Sequence, residues 1–238
     1  MRALILNSGT GSRMGELTKD KHKSMVEIKE GLPLIVYQIE TIAASGIDDF
    51  IITTGAMSEK LIHCIHHYFG NRYRFEFVYN DKYNVTNYIY SIYLALSYLD
   101  DDVLLLHGDL YFTRPMLAQM LAAKESCVVV DTTLKQPEKD FKAHIEGEKV
   151  TQIATCIFGA NCYACQPLYK LLRADWRIWA DAIAAFCAAG KTGVYAEEAL
   201  NTILDRFALK PFDVKGGLCT EIDTPEDLSV LKKRLEYE

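Results

Sequence analysis

Residues 3–15 read Ala3-Leu4-Ile5-Leu6-Asn7-Ser8-Gly9-Thr10-Gly11-Ser12-Arg13-Met14-Gly15. Four consecutive apolar residues suit a short strand buried on both faces, and the run breaks at once into glycine-rich sequence. Glycines at 9 and 11 let main-chain N–H groups turn inward and approach phosphate oxygens closely. A strongly polar stretch, Glu16 to Ser24, follows, with Lys19, Lys21 and Lys23 just downstream of the turn. Together with Arg13 these cations can neutralise a triphosphate. The opening therefore predicts an α/β fold whose first strand delivers an anion-binding loop at its carboxyl end.

A G-x-G turn is shared with dinucleotide-binding loops. Here the third fingerprint position is Met14, and polar sequence stands where a tightly packed helix should begin, so a nicotinamide dinucleotide is disfavoured.

Further along, short runs of Ile, Leu and Val alternate with segments of helical period, the pattern of a mainly parallel sheet covered on both faces. Strands are expected at Ala3–Asn7, Phe50–Thr54, Phe75–Val78, Val103–His107 and Cys127–Asp131. Helices are expected near Leu34–Ser45, Ser58–Tyr68, Asn87–Leu99 and Arg114–Ala123. Hairpin-like runs follow at His144–Glu146 and Val150–Ala154, then helices near Gln166–Leu172, Ile178–Ala189 and Ala196–Phe207, a strand around Leu218–Ile222 and a last helix from Pro225. Thr224 is read as the cap of that helix, with Asp227 in the capping-box position. The whole is expected to be one doubly wound domain over residues 1–238, its hairpin and later helices forming a small subregion.

The 238 residues are half hydrophobic and carry a formal net charge of −6. No basic stripe is available for a nucleic-acid backbone. No apolar run reaches the length of a membrane span, and the N-terminus lacks the pattern of a secretory signal. Seven cysteines scattered through apolar segments fit reduced thiols in a cytoplasmic protein. Cys162 and Cys165 form a lone C-x-x-C, and His63, Cys64, His66 and His67 lie close together on an expected helix. Core packing and a solvated helix face are the ordinary readings of these two groups, with a metal or redox role as the alternative.

Two further strand ends carry acids. Val103–His107 runs into Gly108-Asp109, and Glu221 and Asp223 alternate onto one side of the late strand. Carboxylates from separate strand ends can hold one hard cation through oxygen.

The strings G-T-G-S-R-M and K-S-M, at residues 9–14 and 23–25, resemble the signature loop of the sugar-nucleotidyltransferase superfamily. That resemblance implies a Rossmann-like nucleotidyltransferase fold. It also implies that Gly9, Gly11, Arg13 and Lys23 hold the β- and γ-phosphates, and that Asp109 and Asp223, helped by Glu221, bind a catalytic magnesium ion. Asn7-Ser8 stands where the family often has Ala-Ala, which puts polar side chains toward base or ribose. With Thr10 and Ser12 these residues complete the expected nucleotide loop. Thr54, Gly55 and Asn87 are further candidates for reading the base.

Residues 51–55, 86–93, 107–110 and 137–143 extend the resemblance to the choline-phosphate and phosphonate cytidylyltransferases, closest to the phosphonate branch. It implies transfer of CMP from CTP to a phosphonate such as 2-aminoethylphosphonate, with release of pyrophosphate. Lys142 or Lys139 could meet the phosphonate. Trp176, Trp179 and Tyr195 could cage a quaternary ammonium, with core packing of their helix as the ordinary reading of the two tryptophans, whereas Glu138, Asp140, Glu197 and Glu198 could meet a primary amine. Choline phosphate, a sugar phosphate with another NTP, and a non-catalytic nucleotide-binding module remain open. An apolar patch on the helices could pair two subunits as a homodimer.

Overall fold

The computed structural model describes residues 1–236. In chain order its strands and helices are β1 Arg2–Asn7, β2 Glu27–Lys29, β3 Leu32–Pro33, α1 Leu34–Ala43, β4 Asp49–Thr54, α2 Ser58–Phe69, β5 Arg74–Tyr79, α3 Tyr88–Ala95, β6 Val103–His107, β7 Leu110–Phe112, α4 Arg114–Ala122, β8 Cys127–Asp131, β9 Lys142–Glu146, β10 Lys149–Ala154, β11 Cys162–Leu171, α5 Arg173–Ala188, α6 Ala196–Asn201, β12 Lys210–Asp213, β13 Cys219–Glu221 and α7 Pro225–Leu235. Short 3-10 turns occupy Ser12–Thr18 and Lys23–Met25.

Strands β6, β1, β4 and β5 lie side by side and parallel. The sheet then turns mixed, because β11 runs antiparallel to β6, β8 and β9. Successive residues of β1 point to opposite faces. Leu4, with Ile51 and Leu105, joins a cluster that includes Ile89, Ile92, Trp176, Trp179 and Leu200 from α3, α5 and α6. Ala3 and Ile5 join a second cluster with Ile39, Leu61 and Leu117 from α1, α2 and α4. This double covering is the reason β1, β4 and β6 read as unbroken apolar runs. No helix among the described residues is long and apolar enough to cross a membrane.

The α/β architecture with its mostly parallel mixed sheet agrees with the expectation, and two element assignments do not. Residues 166–171 belong to β11, not to a helix. Nearly every residue of that strand is buried, since it has sheet neighbours on both edges and helices against it, so its apolar pattern lacks the alternation that marks a half-exposed strand. The helix expected over Ala196–Phe207 stops at Asn201. Asn201, its last residue, pairs its side-chain amide with both main-chain groups of Ile153, 2.8 Å each. The late strand also stands outside the main sheet, pairing β13 with β7.

The capping box at the head of α7 forms as expected. Asp227 N donates to Thr224 Oγ1 at 3.2 Å, and Thr224 N donates to Asp227 Oδ2 at 2.8 Å.

Candidate active site

The parallel strands order the site along their carboxyl edge. Asn80 follows β5, the glycine loop follows β1, Asp109 follows β6, and α6 and β11 lie beyond. Adjacent strands are spaced by roughly 5 Å, so this edge is long enough to lay out a nucleotide and a second substrate. A cleft of about 300 Å³ opens there, lined by residues 7–13, 22–24 and 107–109 and by Asn80, Tyr83, Thr86, Asn87, Tyr88 and Ser91.

The loop takes its shape from Gly11. Its φ of 64° is left-handed, and a Cβ there would meet Lys23 Cβ at 2.8 Å. Glycine thus lets Lys23 pack directly against the turn. Lys23 Nζ donates to Asp109 Oδ2 at 2.7 Å and also to Asp223 Oδ1, which accepts in turn from Arg13 Nη2 at 3.0 Å. Two cations and two carboxylates from four separate segments thus meet at the mouth of the loop. The β7–β13 pairing makes this possible, with Ile222 N donating to Asp109 O at 2.9 Å.

Burial works against the charge on Lys23, yet Asp109 and Asp223 more than offset it and raise its pKa above the ordinary lysine value. Burial would likewise raise Asp109, but Lys23 and His107 hold it below the usual carboxylate range. Next to it, His107 Nδ1 lies 3.2 Å from Glu221 Oε1. Burial alone would lower His107; the Glu221 contact and the neighbouring carboxylates raise it instead. Burial raises Glu221.

Asp109 Oδ1 is buried and has no hydrogen-bond partner. A ring nitrogen of His107 with carboxylate oxygens of Asp109 and Glu221, and carboxylate oxygens of Asp140, Glu221 and Asp223, form two overlapping groups whose atoms lie within 4.8 Å of one another. This carboxylate-rich donor set fits a hard divalent cation. Neither group includes His63, His66, His67 or a cysteine.

Toward α6, the cleft meets an aromatic wall. The Tyr88 ring packs against His107 at 4.7 Å and Tyr195 at 5.8 Å between centroids, and Tyr195 packs on Phe141 at 5.1 Å. Glu197 stands behind that wall. It is buried, and it accepts from the hydroxyls of Tyr88 and Tyr169.

Asn7, Ser8, Gly9, Thr10, Gly11, Ser12, Arg13, Lys23, Asn87 and Asp109 therefore share one cleft, with Asp223 and Glu221 at its rim. Asn7 is 2% exposed, its side-chain amide has no partner, and it lies so close to Gly108 that no Cβ could stand there. Besides Glu197 behind the wall and Trp179, which is fully buried with its indole N–H donating to Ala196 O at 3.1 Å, four expected contacts fall elsewhere. Thr54 is buried below the loop and accepts from Ser58 Oγ at 3.0 Å, while Gly55 packs under the Ser8 carbonyl and Tyr83. Trp176 is a core residue whose indole N–H serves Leu99 O at 2.9 Å, so it offers no face to a ligand. Lys142 is also buried, because its ammonium ties down the preceding loop through Pro137 O at 2.7 Å and Asp140 O at 2.9 Å.

Sequence reasoning missed Asn80, Ser91 and His22. Asn80 had a readable signal, since it follows a parallel strand directly, as Asp109 does. Ser91 and His22 carried none, being set by how α3 and the 22–25 turn fold back over the edge.

A family model described as the MobA-like NTP transferase domain matches residues 3–200. This chain belongs to that family. Curated proteins similar to it include the CTP:phosphoglutamine cytidylyltransferase of Campylobacter jejuni, 30% identical over 55% of this chain and 52% of the relative. The choline-phosphate cytidylyltransferase of Streptococcus pneumoniae is 38% identical over 40% of this chain and 39% of the relative. The CMP-5'-(3-aminopropyl)phosphonate synthase of Streptomyces rubellomurinus is 29% identical over 58% of this chain and 22% of its own. The matches thus span about half the length of these curated relatives, or less. Among solved structures, the CTP:phosphocholine cytidylyltransferase of Streptococcus pneumoniae superposes with a TM-score of 0.81 at 24% identity, covering 98% of each chain. The inositol-1-phosphate CTP transferase of T. maritima gives 0.80 at 21%, covering 99% and 96%. At such identities these two likenesses speak for the fold.

Proposed function

We propose that this chain is a magnesium-dependent cytidylyltransferase that transfers CMP from CTP to a small phosphonate, with 2-aminoethylphosphonate as the best candidate. The observation that carries this reading is Lys23, held between Asp109 and Asp223 at the mouth of a glycine loop. An oxygen of the acceptor attacks the α-phosphorus, and the bond from that phosphorus to the bridging oxygen breaks. The electron pair leaves with pyrophosphate. A phosphonate or phosphomonoester oxygen is largely ionised near neutral pH, so no side chain need remove a proton.

Loop N–H groups, Arg13 and Lys23 would bind the β- and γ-phosphates and stabilise the charge that builds as they depart. Asp109 and Asp223, with Glu221 alongside, would hold the magnesium ion, which when bound supplies Lewis-acid stabilisation at the phosphate oxygens. Lys23 and Arg13 are paired with these same two acids. Loading CTP together with magnesium would therefore exchange one set of ion pairs for another without leaving a buried charge alone.

The acceptor would lie between the acids and the aromatic wall. Tyr88, Tyr195 and Phe141 offer ring surface, and Asp140 and Glu221 offer carboxylates, a combination suited to an ammonium-bearing tail. Relatives named for choline-phosphate and for a (3-aminopropyl)phosphonate support an acceptor of this class.

The test is pyrophosphate release with magnesium, with each of the four NTPs set against 2-aminoethylphosphonate, phosphocholine, phosphoethanolamine and glucose 1-phosphate. CTP turnover strongest with the phosphonate, and lost in Asp109→Ala, is the expected result. Preference for another acceptor would overturn the substrate, and no release with any pair would overturn the activity.

A further inference from the structure

A chain of buried hydrogen bonds runs from the edge of the sheet to the floor of the cleft, and its direction is fixed at one end. Asn80, 1% exposed, accepts from Lys82 N at its Oδ1, 2.9 Å. A main-chain N–H can only donate, so this contact settles which end of the Asn80 amide is oxygen. The Nδ2 group must then use its two protons, and it has two partners: Thr86 Oγ1 at 3.1 Å and Ser91 Oγ at 3.0 Å. Thr86 passes its own proton to Lys82 O at 2.8 Å. Ser91 accepts from Asn80 and donates to Ser8 Oγ at 2.9 Å.

Ser8 is the last member. It receives a hydrogen bond from Ser91, and among the described residues no group accepts its proton. It is 8% exposed and lines the cleft, as do Asn80 and Ser91. The relay thus turns a side chain that can ordinarily donate or accept into one whose proton is the free function. Strand order sets where that proton is presented. Asp109 follows β6 on one side of β1, whereas Asn80 follows β5 on the other, two strands away. The phosphate and metal groups hold the first side, which leaves the nucleoside end to the second.

We propose that Ser8, oriented by Ser91 and Asn80, is a fixed hydrogen-bond donor that reads an acceptor atom on the nucleotide base and favours cytosine over uracil. Cytosine presents two adjacent acceptors, O2 and N3. Uracil presents a donor at N3, which would face the Ser8 proton with a second proton. Ser8 touches the ligand, while Ser91 and Asn80 are positioning residues that act through it. The proposal rests on the cleft being the nucleotide site and deepens that reading, since it supplies the source of base choice.

The relay can be reversed by one substitution. In Asn80→Asp the carboxylate only accepts, so Ser91 would donate to it and accept from Ser8, leaving Ser8 a lone pair toward the base. The experiment is calorimetric binding of CTP and of UTP, with magnesium and without acceptor, to the full chain, to Ser91→Ala and to Asn80→Asp, with folding checked by thermal melts. The wild-type chain is expected to prefer CTP by about tenfold or more, the scale set by one mismatched buried hydrogen bond. Ser91→Ala frees the Ser8 rotor and should shrink that ratio toward one. Asn80→Asp should move it further, to UTP. A wild-type ratio retained in Ser91→Ala, or equal weakening of both nucleotides in both variants, overturns the relay. If Asn80→Asp fails to fold, the Ser91→Ala ratio decides alone. Binding of neither nucleotide by the wild-type chain would instead count against the nucleotide site itself.

Discussion

Lys23 carries more of the candidate chemistry than any other side chain in the cleft, and its surroundings set what its removal should do. It is mostly buried and shared by two carboxylates. Lys23→Met keeps the stem and deletes the charge, so transition-state stabilisation falls while the loop keeps its shape. Pyrophosphate release should drop by about 10²- to 10³-fold, the usual cost of losing one preorganised donor. A loss below tenfold would remove Lys23 from the phosphate site. One position before it, His22 is buried and its pKa falls to about 4 from the ordinary 6.5, chiefly by burial, against the pull of the Gly9 and Asn7 main chain. The folded state thus favours the neutral ring. Its contribution to stability is complete above pH 6.5 and is lost as pH falls toward 4, where the unfolded chain binds a proton that the folded chain resists. The loss is roughly 3 kcal/mol across that window. His22→Asn retains an acceptor for Ser24 N and cannot titrate. Denaturant melts at pH 7 and pH 4 should show a stability difference between wild type and variant that changes by about that amount, and a constant difference would show that the ring does not titrate in this range.

At the scale of elements, legibility followed how many sides of a segment are covered. β1, β4 and β6 were readable because each is a short apolar run ending in glycine or polar residues at the cleft. β11 was not, since neighbours on both edges and both faces erase the alternation that would distinguish it from a helix. An ammonium-bearing acceptor made Trp176 a candidate cage face beside its core-packing reading, and the structure takes the second, since α5 turns its indole into the core and uses its N–H on Leu99 O. Trp176→Phe removes that donor and leaves a buried carbonyl unserved, which should lower stability by about 1–3 kcal/mol. The KM for the acceptor should stay at the wild-type value. A raised KM without a change in melting would return Trp176 to the acceptor site. Lys142 illustrates the complementary limit, because spacing placed its charge near the cleft while only the fold of residues 137–140 shows the carbonyls that use it.

Across the whole molecule, the two ends of the chain converge on one loop. Met14 is the residue that broke the dinucleotide fingerprint, and the structure supplies its purpose. It is 1% exposed and packs with Val26, Ile28 and Leu34 against Ile222, Leu228, Leu231 and Leu235. Helix α7 therefore supports the glycine loop from behind, while its capping box sets the chain direction just after Asp223. Charge and packing at the site are coupled through this third cluster, since the segment that delivers Asp223 also holds Met14. The sequence showed the cap and the acid separately; their joint action on a loop some 200 residues earlier is a property of the tertiary structure. Leu231→Ala tests the coupling far from any charged group. Emptying that position should cost about 2–5 kcal/mol of stability. Because the loop loses its backing, nucleotide affinity should fall at temperatures where the chain is still folded. If calorimetry finds wild-type CTP affinity in a folded but destabilised Leu231→Ala chain, the loop is self-supporting, and α7 serves only to deliver its acid.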